Sequence, residues 1–341
     1  FGLEANNLPT IKQPISIDAI QTVQVNISNY DVTQQGYTGA NINAVTKSGT
    51  NDVKGSLYYV YRDDSLAGDR FTRRPDRYVA PPTFEDKTIG FTLGGPIIKD
   101  KLFFFASYEE LKSSRNSPGF GPIGAGFTDV GITSEQIAAA QASASAKGFD
   151  IGDFSASSTN LTVKDTLIKL DWNISDRHRA NARYTKTEEA NPIFPGYSAT
   201  TLSLSSRNYV TAKTLESIVG QVFSDWTDNF STEFKLSKRE YTSQPILNSQ
   251  LPEIQLTFTT PAPAGTSTGN RTLRFGTEET RHFNRIETNT TNLYLAGNWN
   301  QGAHDVKFGV DLENNEIFNA FVRRAWGQYT FEGTDPVALF A

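Results

Sequence analysis

"IIKDKLFFFASYEEL", from Ile97 to Leu111, sets a charged turn at Lys99-Asp100 directly ahead of Phe103, Phe104 and Phe105. In an extended chain successive side chains point to opposite faces of the sheet. Phe104 therefore shares one face with Leu102, Ala106 and Tyr108, whereas Phe103 and Phe105 share the other with Ser107 and Glu109. Both faces of one strand are aromatic at its turn end. Two rings facing open water would be wasted, so something must fill the second face there.

The same alternation recurs downstream. Val306, Phe308, Val310 and Leu312 alternate with Asp305, Lys307, Gly309, Asp311 and Glu313, a period of two. Ile168, Leu170, Trp172 and Ile174 alternate with Lys169, Asp171 and Asn173; across the next turn Asn181 and Arg183 oppose Ala180, Ala182 and Tyr184. Each strand has an apolar face and a charged face. Alternation alone fits both a half-solvated sandwich and a barrel whose apolar face meets lipid.

Composition points to sheet. Of 341 residues, 12% are aromatic and 20% charged, with β-favouring Tyr, Phe, Thr, Val and Ile abundant. The net charge of −5 and the lack of a prominent Lys/Arg cluster set nucleic-acid binding aside. No apolar run approaches the roughly 18 to 20 residues of a membrane helix, so any crossing must be made by strands. Cysteine is absent, which removes thiolate metal sites, thiol nucleophiles and disulfides together. The residues after Phe1 lack a signal-peptide pattern, and the sequence is expected to continue at both ends.

Connections alternate in length. Short turn signals at Lys99-Asp100, Ser175-Asp176-Arg177, Thr227-Asp228-Asn229 and Asn300-Gln301-Gly302 alternate with long polar stretches at about 64–85, 113–160, 189–208 and 243–281. In an up-and-down sheet this puts tight turns at one end and large loops at the other, as in outer-membrane barrels. Trp172, Trp226 and Trp299 precede short turns, and Phe103 and Phe230 follow them, the positions of an interfacial aromatic belt. Lys186 would face outward near the loop end, where snorkelling reduces its cost to ~0–1 kcal/mol.

The texture changes near Asn51, giving a residue 1–50 segment that mixes short strands with Asn, Gln and Gly, and a 51–341 region of long strands. "QPISIDAIQTVQVNISNYDVTQQGYTGANINAVTKSGTNDVKGSLYYVYRDD" resembles the end of the plug and first barrel strand of TonB-dependent outer-membrane receptors, in particular the Oar-like group. "FTLGGPIIKDKLFFFASYEELK" is similar to the second and third strands of that group, with its Gly-Gly-Pro and Lys-Asp-Lys-Leu-Phe-Phe-Phe signature. Ala40-Asn41 stands where the wider family often has paired glycines.

The resemblance implies an all-β fold: a transmembrane antiparallel β-barrel of 22 strands in the full protein, about ten of them in this chain, with the 1–50 segment as the C-terminal part of a plug inside the lumen. It implies active import, driven through the TonB complex of the inner membrane by a segment upstream of Phe1. Outer-membrane lipids and an unknown ligand are the other partners, and a surface lipoprotein over the barrel is left open. Long loops suggest a large ligand of peptide, protein or glycan class.

Other motifs carry less. Gly119, Gly121 and Gly124 have dinucleotide-fingerprint spacing, but Pro122 and the "FTDVGITS" that follows break the strand-to-helix link that the motif needs. Thr133 and Gln136 form a capping-box pattern that predicts a helix ending near Gly148. His178, His282 and His304 have no second ligand at metal spacing, with His178 and His304 beside tight turns, and the acidic "FEGTDP" lacks a calcium-loop pattern. No catalytic residue, cofactor site or metal site is assigned. The lumen-wall candidates are Lys169, Asp171, Asn181, Arg183, Asp305, Lys307 and Asp311. Alternatives are a secreted β-sandwich used for binding or adhesion, and a barrel used for export or passive passage.

Overall fold

The computed structural model describes residues 15–26, 41–73, 76–116, 119–154 and 158–341. Parts of the 1–50 segment, including Ala40, lie outside the described residues. Nine long strands form one sheet: β1 (Lys54–Asp63), β2 (Glu85–Ile98), β3 (Leu102–Asn116), β4 (Ser158–Ser175), β5 (His178–Ile193), β6 (Tyr209–Thr227), β7 (Phe230–Leu247), β8 (Phe283–Gln301) and β9 (His304–Val322). Each pairs antiparallel with its neighbour in sequence, so the wall is an unbroken meander. About ten wall strands are expected from the sequence and nine are seen. The alternating run Gln328–Gly333 does not extend the wall, because it pairs parallel with Glu253–Phe258 in a separate small sheet.

The ends of the wall differ as the sequence predicts. β2–β3, β4–β5, β6–β7 and β8–β9 are joined by tight turns, with Asp100 and Gly302 in the left-handed region. The long connections are 64–84, 117–157, 194–208 and 248–282, most of them shorter than expected because strands such as β5 and β7 run further toward the loop end. Pro96 is tolerated in β2 because it sits at a register shift, where a ladder N–H is dispensable.

Which face is apolar inside and which is apolar outside follows from burial. On β4, Leu161, Val163, Asp165 and Leu167 are buried, whereas Ile168, Leu170 and Trp172 are 48%, 41% and 51% exposed. The exposed apolar face continues through Phe91, Ile218, Leu236, Leu295 and Val310. No second sheet covers it among the described residues, which argues against the sandwich, where such faces meet across a dry core. The opposite face receives the N-terminal segment. Ile15 and Ala19 are buried against Phe105 and Leu167, with Ile20 packed at the edge. Phe105 thus faces the interior and Phe104 the outside, which accounts for the paired aromatic faces.

Above the wall three of the long loops and the stretch after β9 condense into a cap. Thr201–Ser203, Arg271–Phe275, Glu253–Phe258 and Gln328–Gly333 form a four-stranded sheet. Helix α1 (Ser134–Ala146) and helix α2 (Pro336–Phe340) join it around a core of Val130, Ile132, Leu202, Leu256, Phe258, Leu273, Phe275 and Phe340. The predicted capping box closes α1: Thr133 N–H donates to Gln136 Oε1 at 2.9 Å, and Gln136 N–H to Thr133 Oγ1 at 3.2 Å. Gly148, at φ +78°, follows the helix end as expected. The alanine-rich face is spent inside, with Ile137, Ala140 and Ala144 buried in the cap core.

Candidate functional site

Three surfaces of the wall bear on function: the inner face with its N-terminal segment, the outer face, and the cap. On the inner face the 15–51 segment is tethered by polar contacts. Ser16 Oγ lies 2.9 Å from Tyr58 Oη and donates to Glu109 Oε2 at 3.1 Å, and Tyr58 Oη also donates to Glu109. Ser56 donates to Asp18, Lys169 Nζ donates to Ser48 Oγ at 2.7 Å, and Asp100 N–H donates to Asn51 Oδ1 at 2.8 Å. A Cβ on Gly49 would stand 2.3 Å from the Phe104 carbonyl and 2.7 Å from that of Gly95. The segment therefore passes the wall at backbone contact, beside the Gly94-Gly95-Pro96 stretch.

The lumen-wall candidates share the inner face. Lys169 stands opposite Arg183 and Asp171 opposite Asn181 in the β4–β5 register, and Lys169 pairs with Asp171 at 3.2 Å. On β9, Asp311 accepts from Asn292 Nδ2 at 2.6 Å, while Asp305 and Lys307 stand opposite Asn300 and Asn298. The candidates form two groups, one on β4–β5 beside Ser48 and one on β9. Sequence reasoning missed Tyr58, Glu109 and Asp165. Glu109 was placed on the inner face, but its partner Ser16 lies 93 positions away. The arrangement can hold and release a segment through hydrogen bonds and ion pairs. Among the described residues no group of three or more His, Asp or Glu side chains could hold a metal ion.

The outer face has two aromatic levels. Trp172, Trp226 and Trp299 are exposed near the turn end, and Phe230 stacks on Phe308 with centroids 6.5 Å apart. Phe103 does not belong with them. It shares the inward face with Phe105, and its Cβ lies 3.0 Å from the Cβ position of Gly49, so the alternation that exposes Phe104 turns Phe103 inside. Nearer the loop end Tyr61, Tyr108 and Tyr184 face outward, followed by Lys/Glu pairs two residues apart: Lys87–Glu85 at 2.7 Å, Lys112–Glu110 at 3.2 Å, Lys186–Glu188 at 3.1 Å and Lys238–Glu240 at 2.5 Å. Lys186 is thus outward as expected, and is held by a carboxylate. An apolar band bounded by rings on one side and by rings and charges on the other matches a bilayer's interior and interfaces.

The cap is cross-linked by buried charge. Arg207 Nη2 donates to Glu253 Oε2 at 2.9 Å with side chains 3% and 0% exposed. Gln255 Nε2 at 2.7 Å, the Glu279 N–H at 2.8 Å and Gln328 Nε2 at 3.3 Å also donate to the carboxylate. Burial alone pushes the Glu253 carboxyl up, but the Arg207 charge and these hydrogen bonds outweigh it and hold it below its usual range. Glu279 is likewise held low: desolvation opposes, and Arg324 and Arg323, at 2.5 and 2.7 Å, prevail. Arg271 Nε reaches the Gly131 carbonyl at 3.2 Å, tying the 117–157 loop to the 248–282 loop. His282 is buried. Its Nδ1 accepts from the Trp326 N–H at 3.1 Å, Nε2 lies 3.1 Å from the Thr277 carbonyl, and the ring stacks on Trp326 at 4.8 Å. His178 and His304 open β5 and β9 beside the tight turns.

Comparison with known proteins agrees with this geometry. The family model described as an outer membrane beta barrel domain matches residues 45–123 and 129–338. Over 111 residues the chain is 38% identical to the TonB-dependent transporter Oar of Myxococcus xanthus, covering 32% of this chain and 10% of that protein. Among solved structures, the outer membrane transporter YddB from Escherichia coli superposes with a TM-score of 0.63 at 12% identity, covering 97% of this chain and 40% of YddB. The siderophore receptor PirA from Acinetobacter baumannii gives 0.51 at 13% identity, covering 88% of this chain and 35% of PirA. The chain spans about a tenth of the curated relative and two-fifths or less of these two structures. The structural likenesses speak for the fold.

Proposed function

The chain belongs to the outer membrane beta barrel domain family, and from that premise we propose that it is part of an energised importer in which residues 1–50 are the C-terminal part of a plug and residues 51–341 a run of barrel wall. The observation that carries this reading is the occupied inner face: Ile15 and Ala19 are buried on Phe105 and Leu167, while Ser16, Asp18 and Ser48 bond to the wall. An obstructed lumen fits controlled passage better than a permanently open pore. Identity to a TonB-dependent transporter supports coupling to the TonB complex. The cap roofs the loop end with a folded surface, which suits a large ligand of peptide, protein or glycan class.

On this reading the segment must leave the wall for cargo to pass. Its polar contacts with the wall are single hydrogen bonds with one charged partner, Ser16 to Glu109, Ser56 to Asp18 and Lys169 to Ser48, each worth about 1.5–3 kcal/mol, so a pull can break them in sequence. The native chain has no cysteine, which permits a clean test. With Ile15→Cys and Leu167→Cys introduced into the full-length protein, oxidation should abolish uptake of peptides and glycans from the medium and reduction should restore it. Collapsing the proton gradient should have the same effect. Uptake that survives both treatments would leave a passive channel.

A further inference from the structure

The cap sheet runs Thr201–Ser203, Arg271–Phe275, Glu253–Phe258, Gln328–Gly333, so its first and last strands are edges. An edge strand presents a row of backbone N–H and C=O groups with no neighbour to bond, and the two edges here differ. At the first, the N–H and C=O of Thr201 are both taken by Ser198, at 3.2 and 3.0 Å, and Leu202 and Ser203 are fully buried. At the last, Glu253 N–H donates to the Gly327 carbonyl at 3.1 Å and Thr259 N–H to that of Gly333 at 2.9 Å. These bonds fix the phase of the parallel ladder: Tyr329, Phe331 and Gly333 bond to Glu253–Phe258, while Thr330 and Glu332 direct their N–H and C=O away from the sheet. Among the described residues no strand pairs on that side, and Tyr329, Thr330 and Glu332 are exposed. The strand contains neither the Pro nor the Lys nor the bulge that commonly closes such an edge.

The side chains beside this edge set what can join it. On the face that carries the cap core, Tyr329 is 54% exposed and its ring lies back over Gly327, 2.8 Å from where a Cβ would stand. Leu339 of α2, 59% exposed, reaches the other end of the strand, its Cδ1 3.3 Å from the Cβ position of Gly333. Phe331, on the same face as Tyr329, packs against the core. On the opposite face Thr330 lines up with Gln255, Arg274 and Ser203, and Glu332 with Thr257, Thr272 and Thr201. Glu332 accepts from Asn270 Nδ2 at 3.4 Å, and among the described residues no Lys or Arg forms an ion pair with it. The edge is apolar on one side and polar, with an uncompensated carboxylate, on the other.

We infer that the Gln328–Gly333 edge takes an extended peptide as a fifth strand of the cap sheet, with alternate apolar side chains against Tyr329, Phe331 and Leu339 and a basic residue beside Glu332. Main-chain bonds to Thr330 and Glu332 hold the peptide whatever its sequence, and the two faces select the alternation. A glycan offers no row of N–H and C=O groups at the strand repeat, so the open edge favours a peptide. The inference rests on the reading of the cap as the ligand-facing end of an importer, and narrows its ligand class to peptide.

The test is binding of a fluorescent hexapeptide, Thr-Val-Lys-Val-Thr-Val with blocked ends, to the purified full-length protein, read by fluorescence polarisation. Two further peptides are N-methylated at alternate residues, one at the valines and one at the polar residues, so that each lacks the N–H groups of one edge. A strand is joined through one edge, so one of the two should bind about tenfold more weakly and the other as the parent does. Thr330→Pro deletes an N–H that the cap sheet does not use and should weaken the parent peptide about tenfold, with the 248–282 loop as protease-resistant as in the native protein. If that variant loosens the cap, the peptide pair decides on the native protein alone. Glu332→Lys should reverse the preference for the parent over a peptide with Glu in place of Lys. Equal binding of the two N-methylated peptides would overturn the assignment, as would no binding of the parent or its displacement by neutral oligosaccharides. Binding is read without a proton gradient, so its loss here and the loss of import in the Ile15→Cys/Leu167→Cys experiment are separate results.

Discussion

At the residue scale the buried Arg207–Glu253 pair makes the sharpest prediction. Removing one partner strands the other charge in the cap interior, so Arg207→Ala should destabilise the cap by roughly 3–5 kcal/mol. Replacing both residues with apolar ones of similar volume should cost far less. The measurement is protease cleavage of the 248–282 loop against denaturant. If the single variant were no more sensitive than the double, the pair would not be the clamp described. Phe105 offers a second case. Phe105→Ala empties the space under Ile15 and Ala19 and should weaken the segment's seat by about 3–5 kcal/mol, read as faster proteolysis of residues before Asn51 with the wall intact. Phe104→Ala, on the outer face, should leave that rate unchanged.

At the element scale the strands should sense depth. Leu236 and Ile246 both face outward on β7, but Leu236 lies in the apolar band and Ile246 beyond the Lys238–Glu240 level. Leu236→Lys should therefore lower the stability of the folded barrel in vesicles by about 2–4 kcal/mol, and Ile246→Lys by about 0–1 kcal/mol. Equal costs would mean that the charged level does not mark the bilayer edge. The turn and loop pattern was legible in sequence because Gly, Asn, Asp and Pro concentrate where strands end. The fate of Gln328–Gly333 was not, since its period of two suits the wall as well as the cap sheet, and only a partner elsewhere in the chain decides between them.

At the scale of the whole molecule the cap makes its four loop regions respond together. Glu253 and Glu279 have carboxyl groups held below the ordinary range in the folded state, so the stability they confer is complete above the usual carboxylate pKa and is lost as pH falls through their depressed values. Acidification below about pH 4.5 should loosen the cap before the wall, whose strands are tied by ladder hydrogen bonds that do not titrate. Limited proteolysis across that range should show loop cleavage preceding loss of heat-modifiable mobility, and Glu253→Gln should flatten the profile. Simultaneous loss of both signals would contradict a separately folded cap.

The sequence by itself determined the antiparallel meander, the long-loop and short-turn ends, the outward Trp172, Trp226 and Trp299, and the helix closed by Thr133 and Gln136. These depend on near-neighbour periodicity and turn chemistry, which local residues set. Tertiary structure decided that Phe103 turns inward with Phe105 beneath Gly49, that His282 is buried against Trp326, and that three of the long loops share one core with the stretch after β9. Each of these depends on which distant segment occupies the space beside a residue, and one-dimensional order does not contain that choice.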